Sequence, residues 1–284
     1  ISDYLPKQKL RLIIGMLADK NVSDIIDILA PKVSEFYCLT PDSDRAMPAG
    51  ELAALIMSKG LSAKSYSSSE ECLSELLESV SEQAIMAFGS LYLAGELRKS
   101  AAKVLQKKQR KEALAARNSL SKDYIAGASN TICKKLISSY EFQNSKKIFV
   151  YKAVASEVRL DYLIDKATAL GKEIYYPLCK GEGEMLALKP GTETVWLRGS
   201  FGISEPSEAD SSEAKPSELD LIICPLAAFD ENGNRIGMGG GYYDRFLAKA
   251  KSADVIGVAF DCQKVERILA QTHDVPLTKV ITEK

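Results

Sequence analysis

Four of the five residues from 237 to 241 are glycine, in the run Gly237-Met238-Gly239-Gly240-Gly241. Such a run cannot sit inside a helix or a strand, because glycine costs backbone entropy in either. It must be a turn, and its flanks say what the turn joins. Upstream, Leu219-Asp220-Leu221-Ile222-Ile223-Cys224-Pro225 is an apolar run closed by proline, the pattern of a buried strand. Downstream, Tyr242 to Lys251 predicts a helix. Arg235 precedes the glycines and Asp244 falls in the helix's first turn. Strand, glycine loop and helix N-terminus together make an anion site: the backbone approaches a phosphate closely and free N–H groups face it. A carboxylate in that first turn suits the helix dipole and can hold Mg²⁺ beside phosphates. The run matches neither a Walker loop, which ends in Gly-Lys-Ser/Thr, nor the dinucleotide fingerprint. A tight turn with no ligand is the other reading of these residues.

The rest of the chain alternates. Strands are expected near 11–17, 34–39, 62–66 and 84–88, with helices near 22–30, 48–58 and 69–80 between them. A second series has strands near 147–151, 172–176, 185–188, 219–223 and 254–260, with helices near 121–139, 159–170 and 242–251. Alternation implies mostly parallel sheets covered by helices on both faces. With 284 residues the expectation is two three-layer α/β domains. The segment Ser204 to Ser217, rich in Ser, Glu, Ala and Pro, reads as a mobile surface loop. From Glu96 to Ala126 there is neither Gly nor Pro, so one helix spans the domain junction or breaks near Ser100.

Charged residues are 26% and the net charge is −1, which gives no reason to expect nucleic acid or a membrane surface as partner. No apolar run is long enough for a membrane span. Six cysteines are spread without a Cys-x-x-Cys pair, which favours reduced thiols and a cytoplasmic location. The single histidine, His273, rules out a histidine-rich metal site and reads as structural.

The stretch Phe229 to Arg245 resembles the signature of the 5-formyltetrahydrofolate cyclo-ligase (methenyltetrahydrofolate synthetase) family. The matching residues are Cys224-Pro225, Phe229-Asp230, Gly233-Asn234-Arg235 and Gly237 to Asp244. The resemblance runs from about Lys107 to Lys284. It takes in Ser156-Glu157-Val158, Phe201-Gly202-Ile203-Ser204-Glu205-Pro206 and Ala259-Phe260-Asp261-Cys262-Gln263. It implies a domain over 105–284 of the sugar-phosphate isomerase and CoA-transferase-like type. It implies ATP and 5-formyltetrahydrofolate as substrates, with Mg²⁺. Carried over residue by residue, the resemblance implies Arg235, Asp244 and Tyr243 in catalysis. Lys107 and Arg110 would reach the nucleotide with Arg235, Gly237, Met238, Gly239, Gly240, Gly241, Tyr242 and Asp244. Glu157, Phe201 and Tyr242 would meet the folate, and Asp244 and Asp261 the metal. Lys107 and Lys108 both fit the lysine position; Lys107, three residues before Arg110, shares its helix face. Tyr242 and Tyr243 are expected to split between ligand and core. Trp196 reads as packing.

The first hundred residues resemble something else. The apolar strand Arg11 to Leu17 with Ala18-Asp19-Lys20, then Asp44-Arg45-Ala46 and Phe88-Gly89-Ser90-Leu91-Tyr92, are similar to the C-terminal domain of folylpolyglutamate synthase. That family is related to the Mur ligases, and the resemblance implies a Rossmann-like domain over 1–100. Ligation of glutamate needs an ATPase domain with a P-loop, and no Gly-x-x-x-x-Gly-Lys-Ser/Thr occurs. The expectation is a ligase module lacking its upstream ATPase domain within a longer fusion, with no glutamate-ligase activity of its own.

Overall fold

The computed structural model describes residues 9–79, 83–199, 202–271 and 274–284, so Phe201 and His273 lie outside the described residues. The chain divides into two compact units, Ile1–Leu105 and Gln106–Lys284.

The first unit is built around β1 (Leu10–Gly15). Its side chains alternate between two apolar layers. Leu12 and Ile14 pack with Ile26, Leu52 and Ile56; Ile13 packs with Cys72, Leu76 and Leu97. A strand buried on both faces reads as a continuous apolar run, which is why Arg11 to Leu17 stands out in the sequence. In chain order follow α1 (Val22–Leu29), β2 (Val33–Cys38), α2 (Ala49–Ser58), β3 (Ala63–Ser65), α3 (Ser69–Glu78) and β4 (Ile85–Gly89). The four strands are parallel in the order β3-β2-β1-β4. Side-chain oxygens of Asn21 and Ser68 cap α1 and α3, as expected at helix starts. The next helix, α4 (Leu91–Asn118), is 28 residues long and does not break at Ser100. The Ser100 hydroxyl is buried and bonded to that of Ser69 at 2.7 Å.

The second unit opens its sheet after α5 (Lys122–Ile137) and α6 (Tyr140–Asn144), with β5 (Lys147–Phe149). Then come α7 (Asp161–Ala169), β6 (Glu173–Cys179), β7 (Met185–Pro190), β8 (Trp196–Arg198), β9 (Ser204–Pro206), β10 (Ser211–Ala214) and β11 (Leu221–Pro225). A short hairpin, β12 (Ala228–Phe229) and β13 (Arg235–Ile236), precedes α8 (Tyr242–Leu247), β14 (Asp254–Val258) and β15 (Lys279–Ile281). Seven strands form the main sheet in the order β10-β7-β6-β5-β11-β14-β15. The pairs from β6 to β15 are parallel, while β7 runs antiparallel to both β6 and β10. Ile148, Leu221, Ile223 and Ile256 face α5 and α7. Phe149, Ile222, Cys224 and Val255 face the other side, with Phe246 and Leu247 of α8.

Two expectations are corrected here. Ser204 to Ser217 is not one loose loop: it holds β9 and β10, with Glu205 and Ala214 buried. β10 is an edge strand with one face outward, so its Ser and Glu side chains are compatible with pairing. The helix expected over 242–251 ends at Leu247, because Ala250 turns into the core and the chain must reach β14 at Asp254.

Candidate active site

The order of the main sheet reverses beside β5. From β5 the chain moves outward to β6 on one side; β11 pairs with β5 on the other and leads to β14. Loops leaving the carboxyl ends of two parallel strands part there and leave a crevice, the usual ligand position in α/β sheets. The loop after β5 carries Ser156 and Glu157. The chain after β11 carries the β12–β13 hairpin and the glycine run.

Asp230 organises the hairpin. Its carboxylate accepts from the backbone N–H groups of Asn232, Asn234 and Ile268 and from the Asn234 amide, all at 2.9–3.0 Å. Burial pushes its pKa up, but these donors outweigh it and hold the carboxyl below its ordinary value. The Phe-Asp…Gly-Asn-Arg pattern is thus a turn built on one carboxylate. Gly233 in that turn has φ +79, and a Cβ there would come within 2.8 Å of the Leu277 carbonyl.

The hairpin delivers Arg235 beneath the glycine run. The Arg235 side chain is only 4% exposed and pairs with Asp244 at 2.5 Å. A second guanidinium nitrogen donates to the Val275 carbonyl. Arg235 and Asp244, on either side of the glycine run, thus pair with each other. The Asp244 side chain is itself 28% exposed. From α4, Arg110 Nε donates to the Gly237 carbonyl at 2.7 Å. Its guanidinium lies 3.7 Å from where a Cβ on Gly239 would stand, and Gly239 has φ +99. Met238 projects outward, 69% exposed.

Seven residues beyond Arg110, on the same face of α4, Arg117 reaches the other loop. Its Nε donates to the Ser156 hydroxyl at 3.1 Å, and it lies 3.9 Å from the Glu157 carboxylate. Both side chains are largely buried, 7% and 13% exposed. Burial raises the Glu157 pKa, opposed by the Val154 N–H and by Arg117. Glu157 is therefore not a solvated surface charge. Ala155 beside it has φ +48, an uncommon conformation for a residue with a Cβ.

The two tyrosines do different things. Tyr243 turns inward and meets Phe149 edge-on at 6.4 Å. Its hydroxyl is buried and has no hydrogen-bond partner among the described residues. Burial, then the nearby Cys224, Glu157 and Tyr151, push its pKa well up. Tyr242 lies under the Arg245 guanidinium, 5.6 Å from ring centroid to carbon.

Not every expected residue joins this constellation. Lys107 is exposed, and its helix neighbours Gln106 and Gln109 instead donate to the Leu269 and Arg267 carbonyls. Asp261 is drawn to Lys284, 2.6 Å away. Among the described residues no group of three or more His, Cys, Asp or Glu side chains is arranged to hold a metal. Asp244 alone still fits Mg²⁺, which in nucleotide sites takes one or two carboxylates together with phosphates and water. All six cysteines are free, four of them buried, and no helix of the described residues is long and apolar enough to cross a membrane. Sequence reasoning missed Arg117, Asp230 and Arg245. The seven-residue spacing from Arg110 was the available sign of Arg117. Trp196 packs against Tyr176 at 5.0 Å, and Lys152 sits 3.7 Å above its ring.

Comparison with known proteins bears on the same residues. The 5-formyltetrahydrofolate cyclo-ligase of Haemophilus influenzae is 32% identical over 158 residues, 54% of this chain and 84% of the relative. That of Escherichia coli K12 is 35% identical over 140 residues, 48% and 76%. The structure of Aquifex aeolicus 5,10-methenyltetrahydrofolate synthetase is similar with TM-score 0.57 and 34% identity, covering 63% of this chain and 90% of that one. The Mycoplasma pneumoniae 5,10-methenyltetrahydrofolate synthetase, at 23% identity and TM-score 0.53, shares the fold over 63% of this chain and 99% of its own. The profile of the 5-formyltetrahydrofolate cyclo-ligase family matches residues 102–283, and the chain belongs to that family.

Proposed function

We propose that the second unit converts 5-formyltetrahydrofolate and ATP into 5,10-methenyltetrahydrofolate, ADP and phosphate. The observation that carries this reading is α4, which sets Arg110 on the glycine loop and Arg117 on the Glu157 loop, one arginine to each side of the crevice. In the reaction the formyl oxygen takes the γ-phosphoryl group. N10 then attacks the formyl carbon, the ring closes and phosphate leaves. No covalent enzyme intermediate is needed, so the protein's work is positioning and charge neutralisation.

Each group has a part that its chemistry suits. The loop Gly237 to Gly241 and Arg110 receive phosphate oxygens. Arg235 holds Asp244, and Asp244 is the residue that would hold Mg²⁺, which neutralises phosphate charge when bound. Ionised Glu157 accepts from the N–H groups of the pterin, with Arg117 keeping its charge. The Tyr243 hydroxyl donates to the folate, and Phe201 supplies an aromatic face. Lys107, exposed on α4, reaches the phosphates only when the nucleotide is bound. Mixing the chain with Mg-ATP and 5-formyltetrahydrofolate is expected to produce methenyl absorbance in step with ADP. ADP without that absorbance means a different acceptor and overturns the reading.

We infer further that the first unit is a folylpolyglutamate synthase C-terminal-like domain. Its motifs and its four-stranded parallel sheet with helices on both faces support this. Lacking a P-loop, it is expected to show no glutamate-dependent release of ADP with tetrahydrofolate; such release overturns the inference.

A further inference from the structure

Arg245, the fourth residue of α8, folds back onto the loop that precedes its own helix. Its Nε donates to the Gly183 carbonyl at 2.9 Å, and one terminal nitrogen donates to the Gly240 carbonyl at 2.6 Å. The guanidinium also covers the Tyr242 ring. Two glycines with positive φ make room for it. A Cβ on Gly183, φ +80, would collide with the guanidinium, and one on Gly241, φ +67, would stand 2.7 Å from it. One side chain thus ties the glycine loop to the turn between β6 and β7.

The grip on Gly240 has a directional consequence. In a trans peptide the carbonyl and the following N–H point opposite ways, and no cis peptide occurs among the described residues. Holding the Gly240 oxygen on the Arg245 side turns the Gly241 N–H away from Arg245. No acceptor among the described residues takes that N–H. Were the Gly240–Gly241 peptide to flip, the carbonyl oxygen would replace the donor and repel an anion.

We propose that Arg245 is a positioning residue for the nucleotide. By holding the Gly240 carbonyl it keeps the Gly241 N–H aimed at a phosphate oxygen, and its second bond, to Gly183, fixes the angle of the guanidinium. This inference rests on the reading that the loop receives the phosphates of ATP. Lysine cannot substitute, because a single ammonium on a flexible stem does not reproduce the rigid fork that serves two carbonyls.

The test is steady-state kinetics on the full chain, with ATP and 5-formyltetrahydrofolate varied separately. Arg245→Ala is expected to raise the KM for ATP about tenfold, the scale of one lost hydrogen bond to a charged ligand, and to leave the KM for the folate within about twofold. Millimolar guanidinium is expected to recover most of the ATP affinity, and NaCl of equal ionic strength is not. Arg245→Lys is expected to raise the same KM and serves alone if Arg245→Ala does not fold. An ATP KM within twofold of the parent in a folded variant overturns the inference while the parent's turnover upholds the functional reading. A parent chain that forms no methenyl product overturns both.

Discussion

Tyr243 carries a hydroxyl that is buried without a partner among the described residues, an arrangement that costs stability on its own. Tyr243→Phe is therefore expected to unfold no earlier than the parent, and up to about 1 kcal/mol later, while the KM for the folate rises several-fold. Denaturant titration and kinetics on one preparation check both; a loss of stability with unchanged KM would mean the hydroxyl is structural. Glu157 makes the pH argument. Its folded pKa lies above its ordinary value because burial outweighs the Val154 N–H and Arg117. The sign follows: its contribution to stability is intact below the unfolded pKa and is lost as pH rises toward the folded pKa. Folate binding by the ionised form runs the other way and weakens as pH falls through the folded pKa. Arg117→Met removes a charge that opposes the shift, so the acid limb of folate binding is expected to move to higher pH. An unmoved limb would show that Glu157 does not titrate in binding.

At the scale of the element, two arginines hold the glycine loop, Arg110 on Gly237 and Arg245 on Gly240, and a third, Arg235, holds Asp244 in the helix that follows. The Arg235–Asp244 pair is buried on the arginine's side, and breaking such a pair strands a charge. Arg235→Ala and Asp244→Ala are each expected to lower the unfolding free energy by about 3 kcal/mol. The double change is expected to cost less than the sum, since the second removes the stranded partner. Additive losses in denaturant titrations would mean that the two groups do not interact. Gly237 and Gly239 separate backbone strain from ligand approach. A Cβ at Gly237 meets nothing within 4 Å, whereas Gly239 has φ +99. Gly237→Ala is expected to leave stability unchanged and weaken ATP binding if the loop lies against phosphate. Gly239→Ala is expected to cost about 1–3 kcal/mol of folding free energy as well. Equal stability of the two variants would remove the argument from conformation.

For the whole molecule, α4 decides where the chain can be cut. A chain beginning at Leu91 keeps all 28 residues of this helix, with Arg110 and Arg117, and is expected to keep forming methenyl product. A chain beginning at Ser119 loses both arginines and is expected to lose turnover, even though the sheet strands remain. Absence of turnover from a folded chain beginning at Leu91 would show that residues before it complete the reaction.

The alternation of apolar strands and helices was legible in the residues, because hydrophobic periodicity is local and burial on both faces leaves continuous runs such as Leu12 to Ile14. So was the glycine turn, since no regular element accommodates four glycines in five residues. β9 and β10 were hidden, because an edge strand with a solvated face needs little apolar content. Which partner each charge takes was hidden too. Arg235 chooses Asp244, Arg117 chooses Ser156 and Glu157, and Arg245 chooses Gly183, pairings separated by as many as 62 positions in the chain. Only the packed sheet decides these, because the reversal of strand order between β5 and β11 brings two distant loops to one crevice and α4 spans it.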